Sequence, residues 1–334
     1  MKDYESMLKH IKVLPLAAES LGVRSMCTFV ETLDTRIVLD AGVSLCPMRF
    51  GLLPHPLEFK AIDEARRRIA EAAGKAEIVS LSHYHFDHHT PSYEDWLCNW
   101  TIKDETAKQI YEGKIVLIKN PKEFINHSQR RRGWMFQKTA GKYTEKLEIA
   151  DGRSFVFEKG TMVKFSEPVF HGSENSTLGW VLMTIIQYQD EKFMFAPDVQ
   201  GPMARRTLEI ILAEKPQLLM IGGPPLYLSK FKVDENQIQI GLKNFGEIVK
   251  TVPNIILDHH ILRDENWRQK IGAIFEMAEK VGCKIVTAAE FLGKKNVCLE
   301  AKRKKIFVEN PPSREFEKWM RKNTSEKKHQ KPPI

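Results

Sequence analysis

Six consecutive residues, His83-Tyr84-His85-Phe86-Asp87-His88, carry four side chains able to hold a metal ion, and they follow directly on the apolar run Ile78-Val79-Ser80-Leu81. Alternate residues of an extended backbone point the same way, so His83 and His85 leave the end of a strand as a pair able to grip one ion. Asp87 and His88 lie beyond the bend and point at a second position, the arrangement from which two-metal hydrolytic sites are built. Only eleven histidines occur in 334 residues, so three of them at fixed offsets around one aspartate mark a metal motif rather than a His-rich loop.

A site of that kind needs further ligands, and three later strand ends offer them. Met162-Val163-Lys164-Phe165 leads through Pro168-Val169-Phe170 to His171-Gly172, where the glycine lets the backbone turn away. Phe193-Met194-Phe195-Ala196-Pro197 ends on Asp198, and Asn254-Ile255-Ile256-Leu257 ends on Asp258-His259-His260. His259 and His260 face opposite ways on an extended chain, which leaves the last ligand open between them. Imidazoles and carboxylates without cysteine suit zinc, and also manganese or iron, and form a hard site for oxyanion substrates. A water shared by two such ions loses its proton near neutral pH and attacks in line, with Asp87 available to orient it as a base.

The order His-x-His-x-Asp-His, then His, Asp and His, resembles the metallo-β-lactamase superfamily over about residues 12 to 292. Val38-Leu39-Asp40-Ala41-Gly42 is similar to that superfamily's early strand-Asp-x-Gly signature, whose aspartate supports the metal loops. Glu19-Ser20-Leu21-Gly22-Val23-Arg24-Ser25, Asp198-Val199-Gln200-Gly201-Pro202 and Asp258-His259-His260-Ile261-Leu262-Arg263-Asp264 look like an archaeal branch whose substrate is unassigned. The resemblance implies an αββα sandwich, an α/β fold. It also implies two divalent ions, one on His83, His85 and His171, the other on Asp87, His88 and the last histidine, with Asp198 bridging them. By likeness to tRNA 3′-processing endonucleases that last ligand is His259. His260 then becomes a supporting group or a proton donor to the leaving group, and the catalytic pair is Asp87 and His260. His89, which follows a complete motif, is expected to support or to be structural.

The elements that must position these residues read as alternating strands and helices. Amphipathic helices are expected over Leu57–Ala73, Gln237–Thr251 and Asn266–Val281, each before a strand. Gly222-Gly223-Pro224-Pro225 after Leu218-Leu219-Met220-Ile221 reads as a strand-to-loop turn, and it lacks the Lys and Ser/Thr of a phosphate loop. The domain is expected to span 1–293, with an inserted segment at about 91–160 and a basic extension at 294–334 that is helical to about Met320 and disordered beyond. Within the insertion, Arg130, Arg131 and Arg132 are candidates to bind phosphate, with Trp134 offering a stacking face. His127 reads as no ligand. The sequence itself shows no internal repeat.

Composition narrows the class. A 42% hydrophobic content supports a sizeable core, and no apolar stretch approaches a membrane-spanning length. The start, Met1-Lys2-Asp3-Tyr4-Glu5, lacks the apolar core of a signal peptide. Cys27, Cys46, Cys98, Cys283 and Cys298 form no paired spacing, so a reduced, cytoplasmic protein is expected. Residues 294–334 hold 13 Lys/Arg against 5 Asp/Glu, which accounts for the whole net charge of +8. That extension is a candidate nucleic-acid contact, with a phosphate-bearing substrate, no membrane partner and no indication of oligomeric state. The leading reading is a metal-dependent phosphodiesterase acting on a nucleotide or RNA. A hydrolase of a carbonyl substrate such as a lactone or thioester is the alternative, and a metal-dependent redox or non-catalytic binding protein the third.

Overall fold

The computed structural model describes residues 8–174, 176–229 and 233–334; the charged start of the chain lies outside them. Two sheets stack face to face between two layers of helices. The first contains β1 (Lys12–Pro15), β2 (Thr28–Glu31), β3 (Arg36–Leu39), β4 (Ile78–Leu81), β5 (Ile115–Ile118) and β6 (Lys146–Ile149), side by side in chain order. The second runs from β7 (Ser154–Val156) and β8 (Met162–Phe165) through β11 (Thr184–Tyr188), β12 (Glu191–Ala196), β13 (Leu218–Gly222) and β14 (Asn254–Asp258) to β15 (Lys284–Val286). A short ribbon of β9 (Val169–Phe170) and β10 (Trp180–Val181) stands apart. Each sheet begins with antiparallel strands and ends in four parallel ones, β3 to β6 and β12 to β15. The two halves that the sequence conceals are thus alike in their strand pattern.

Period-two alternation explains the layers, because the parallel strands are buried on both faces. Ile37, Leu39, Ile78 and Leu117 point between the sheets against Phe193, Phe195, Leu218, Met220 and Ile256. Val38, Val79, Leu81 and Val116 point outward under α1 (Pro56–Lys75), α2 (Lys103–Tyr111) and α3 (His127–Lys138). Leu219, Ile221, Ile255 and Leu257 do the same under α4 (Arg205–Glu214), α5 (Glu235–Val249) and the later helices α6 (Trp267–Lys270) and α7 (Gly272–Val281), whereas α8 (Ala288–Phe291) joins the layer between the sheets. The first helix starts where a capping box and an N1 proline coincide: the His55 side chain accepts from Leu57 N, and Glu58 accepts from His55 N at 2.9 Å. Its buried stripe, Phe59, Ile62, Ala65, Ile69 and Ala72, has the three-to-four spacing that defines an amphipathic helix.

Three expectations change. The segment at about 91–160 is not simply an insertion: β5 and β6 extend the first sheet in parallel register, and α2 covers it. The helix expected over Asn266–Val281 breaks at Ile271 into α6 and α7. The extension does not fray beyond Met320. It forms α9 (Arg303–Glu309), α10 (Arg314–Met320) and α11 (Thr324–His329), and Phe316 and Trp319 bury against Phe59. Trp96 N donates to Lys328 O at 2.9 Å, which ties down the last helix. No helix of the described residues is long and apolar enough to cross a membrane.

Candidate metal centre

Four strand ends converge on one carboxylate. β4 delivers the motif loop, β9 delivers His171, β12 runs through Pro197 to Asp198, and β14 ends in the helical turn His259–Arg263. Asp198 Oδ2 lies 2.8 Å from His171 Nε2, 3.1 Å from His83 Nε2, 3.3 Å from His88 Nε2 and 3.9 Å from His85 Nδ1. Its Oδ1 lies 2.8 Å from His259 Nε2 and 3.1 Å from His260 Nε2. Asp87 Oδ2 stands 3.8 Å from His259 Nε2. Four overlapping groupings among the described residues have the composition of metal sites: His83-His85-His171-Asp198, Asp87-His88-His259, Asp198-His259-His260 and Asp40-His83-His88.

The donor set fits cations. The buried Nε2 atoms of His83 and His171 have no hydrogen-bond partner among the described residues, and orphaned buried polar atoms in a native fold call for a ligand. Burial pushes the Asp198 carboxyl up, but His259, His171 and His88 outweigh it and hold it well below the usual carboxylate range. Burial holds His83 well below the ordinary imidazole value, whereas Glu19 and Asp198 overcome burial at His259 and raise it to about 9. Ion binding must therefore displace protons from this cluster. The side of the cluster open to solvent is formed by His85, Asp87 and His260.

Outer partners fix which ring nitrogen faces inward. Asp40 Oδ2 lies 2.7 Å from His88 Nδ1 and accepts the Ser82 hydroxyl, and Ser82 Oγ lies 3.0 Å from His83 Nδ1. Glu19 Oε2 lies 2.8 Å from His259 Nδ1. Carboxylates only accept, so His88 and His259 donate through Nδ1–H and turn the Nε2 lone pair toward the centre when neutral. His260 differs. Its Nδ1 sits 2.9 Å from an Arg263 guanidinium nitrogen, which can only donate, so a neutral His260 carries its proton on Nε2. Two adjacent histidines thus present opposite faces of imidazole chemistry, a lone pair and an N–H.

The backbone is shaped to allow this convergence. Asp40, Asp198 and His259 all adopt left-handed φ, at 51°, 52° and 66°, unusual for residues other than glycine and typical of functional sites. Gly42 lies so close to the motif loop that a Cβ there would meet His89 N at 2.1 Å, so only glycine lets the early loop support the ligands.

His89 is buried and turns Nδ1 to His85 O at 2.9 Å, outside the metal-type groupings, and His127 is exposed at the start of α3. The arginine run lies on α3 rather than in a loop. Arg132 lies over the Phe86 ring at 4.4 Å and donates to Tyr84 O, beside the motif loop, whereas Arg130 is exposed and donates to Lys122 O at 3.1 Å. Sequence reasoning missed the roles of Glu19 and Arg263. Glu19 joins His259 and, through Oε1, accepts from Arg263 Nε at 2.6 Å. The usable signal was Arg263 at three and four residues from His260 and His259, one helical turn away.

No protein-family model matches the chain. Among solved structures it resembles a metal-dependent hydrolase of the β-lactamase superfamily (TM-score 0.45, 12% identity, covering 83% of this chain and 96% of the other). It also resembles the short form of human tRNase Z (TM-score 0.40, 10% identity, 75% and 92%). The UPF0282 protein of Methanocaldococcus jannaschii is 42% identical over 297 residues, covering 89% of this chain and 96% of the relative. Those of Thermococcus gammatolerans (43% over 297 residues, 89% and 95%) and Korarchaeum cryptofilum (39% over 310 residues, 92% and 99%) are similar along nearly their whole lengths. With its two sheets between helical layers and its His/Asp cluster at the strand ends, the chain is an αββα sandwich and belongs to the UPF0282 family.

Proposed function

We propose that this protein is a dinuclear metal-dependent hydrolase of a phosphodiester in a nucleotide or RNA. The observation that carries the reading is the convergence of the histidine nitrogens on Asp198, several of them pinned from behind by Asp40, Ser82 or Glu19. His83, His85 and His171 would hold one ion, Asp87, His88 and His259 the other, and Asp198 both; zinc is the preferred metal for this donor set. Ions held this way supply an acidified water and a positive field at the reacting centre. Asp87, on the open side, orients the attacking water and takes its proton. His260 donates through Nε2–H to the leaving oxygen, and Arg263 holds it in that tautomer by occupying Nδ1. Arg131 and Arg132, which ion-pair with no carboxylate among the described residues, favour an anionic substrate over a neutral lactone or thioester. Five free cysteines suit a reducing, cytoplasmic setting, and the exposed Lys304, Lys305, Lys318 and Arg321 leave the extension available to a polyanion.

The test is elemental analysis joined to turnover of a small diester, bis(p-nitrophenyl) phosphate. His85→Ala is expected to lose metal affinity by about 10-fold or more and diester hydrolysis with it. Full metal occupancy together with full activity in that variant would overturn the assignment. The adjacent pair is separable. His259→Ala is expected to lose one equivalent of metal, while His260→Ala keeps both and loses roughly 10²–10⁴-fold in kcat. The reverse pattern would exchange their roles.

A further inference from the structure

Between α3 and the loop that follows the metal motif lies a cavity of about 450 Å³, within the range of about 300–1,000 Å³ usual for small-molecule sites. Phe86, whose chain neighbours His85 and Asp87 belong to the metal-type groupings, forms one wall, so the cavity adjoins the motif loop. Its charge is one-sided. Arg131 and Arg132 line it and no aspartate or glutamate does. Arg131 has no hydrogen-bond or ion-pair partner among the described residues, and the Arg132 guanidinium, which lies 4.4 Å over the Phe86 ring, makes one long hydrogen bond, 3.3 Å to Tyr84 O, and pairs with no carboxylate. The rest of the wall mixes aromatic and apolar side chains with neutral polar ones such as His89 and Thr139, with Tyr93 edge-on to Phe86 at 5.5 Å between centroids and Phe136 on the buried side.

Two guanidiniums without a carboxylate partner, one of them free of any hydrogen bond among the described residues, beside an aromatic wall describe a ligand with a doubly charged anionic end and a planar ring. We propose that this cavity binds a nucleoside monophosphate group, its phosphate on Arg131 and Arg132 and its base against Tyr93. The proposal rests on the phosphodiester reading for its consequence: the group bound here is one side of the scissile diester, and the substrate is of nucleotide size at this end. Bidentate pairing to guanidinium supplies the anion selectivity and ring stacking the rest. Exposed Trp134 and Arg130, on the same helix, do not line the cavity and take no part.

The experiment is calorimetric titration of the metal-loaded protein with adenosine 5′-monophosphate, adenosine and inorganic phosphate. The monophosphate is expected to bind about tenfold or more tightly than either fragment alone, because only it spans both halves of the cavity. Arg131→Ala weakens the monophosphate about tenfold or more, and Arg131→Lys recovers only part, since an ammonium lacks the fork. Tyr93→Leu weakens the monophosphate and leaves inorganic phosphate unchanged. His85→Ala keeps monophosphate binding, which places the ligand in the cavity and not on the ions. No binding to the wild type at millimolar concentration, indifference to Arg131→Ala, or loss in His85→Ala would each overturn the proposal. Wild-type turnover of bis(p-nitrophenyl) phosphate reads the hydrolase separately: if it is absent while binding tracks Arg131 and Tyr93, the reaction class falls and the nucleotide site stands.

Discussion

Lys302-Arg303-Lys304-Lys305 and Arg130-Arg131-Arg132 look alike as text, two short cationic runs on helices, yet the fold treats them in opposite ways. Arg303 is fully buried. It forms an ion pair with Glu58 at 2.7 Å and donates to Cys46 O and Leu52 O, so its charge is answered inside the protein. Arg131 and Arg132 line a cavity and meet no carboxylate, so their charge is left for something outside. A basic run is structural where the protein supplies the counter-charge and available for binding where it does not, and residue type alone does not distinguish the two.

The widest gap between the two runs should appear in stability. Arg303→Ala leaves Glu58 buried and unpaired and is expected to cost about 3–5 kcal/mol in urea unfolding. Removing residues 303–334 also strips Phe316 and Trp319 from the core and should leave no cooperative transition. Pairing Arg303→Met with Glu58→Met should recover most of the loss. A nearly silent Arg303→Ala would erase the contrast.

A smaller, pH-dependent effect sharpens the structural side. Burial pushes Glu300 up, but its bidentate pair with Arg24, both contacts 2.6 Å, outweighs burial and pulls it from 4.5 to about 2. A carboxyl with a depressed value stabilises the fold above its unfolded value and loses that contribution as pH falls toward the folded one. Wild type should therefore exceed Glu300→Gln by on the order of 3 kcal/mol near neutrality, with the gap closing below pH 4.5. A gap independent of pH would show that the charge of Glu300 is not what matters. Least of all, Arg131→Ala should shift unfolding by no more than about 0.5 kcal/mol, as for a surface site without partners.

The same contrast explains what was legible in the sequence. The clustering of the motif could be read because its candidate ligands lie within six residues at a strand end, and that of His171, Asp198 and His259 because each follows an apolar strand. The extension could not, since Phe316 and Trp319 are two apolar residues among charges on a short helix, and their partner Phe59 lies over 250 residues earlier. Nor could the segment around β5 and β6, whose strands are only four residues long and separated by α3. Glu19 lay in a stretch noticed for its likeness to relatives, but nothing local announces that it meets a histidine 240 positions away.

That 240-residue contact has a temporal meaning. The motif loop comes from the first sheet, while His171, Asp198 and His259 come from the half of the chain that builds the second, and Glu19 clasps His259 across the divide. Contacts of such long range form late in folding. Neither half alone owns the complete His/Asp cluster, so any opening between the sheets dismantles it before it uncovers the hydrophobic layers beneath the helices.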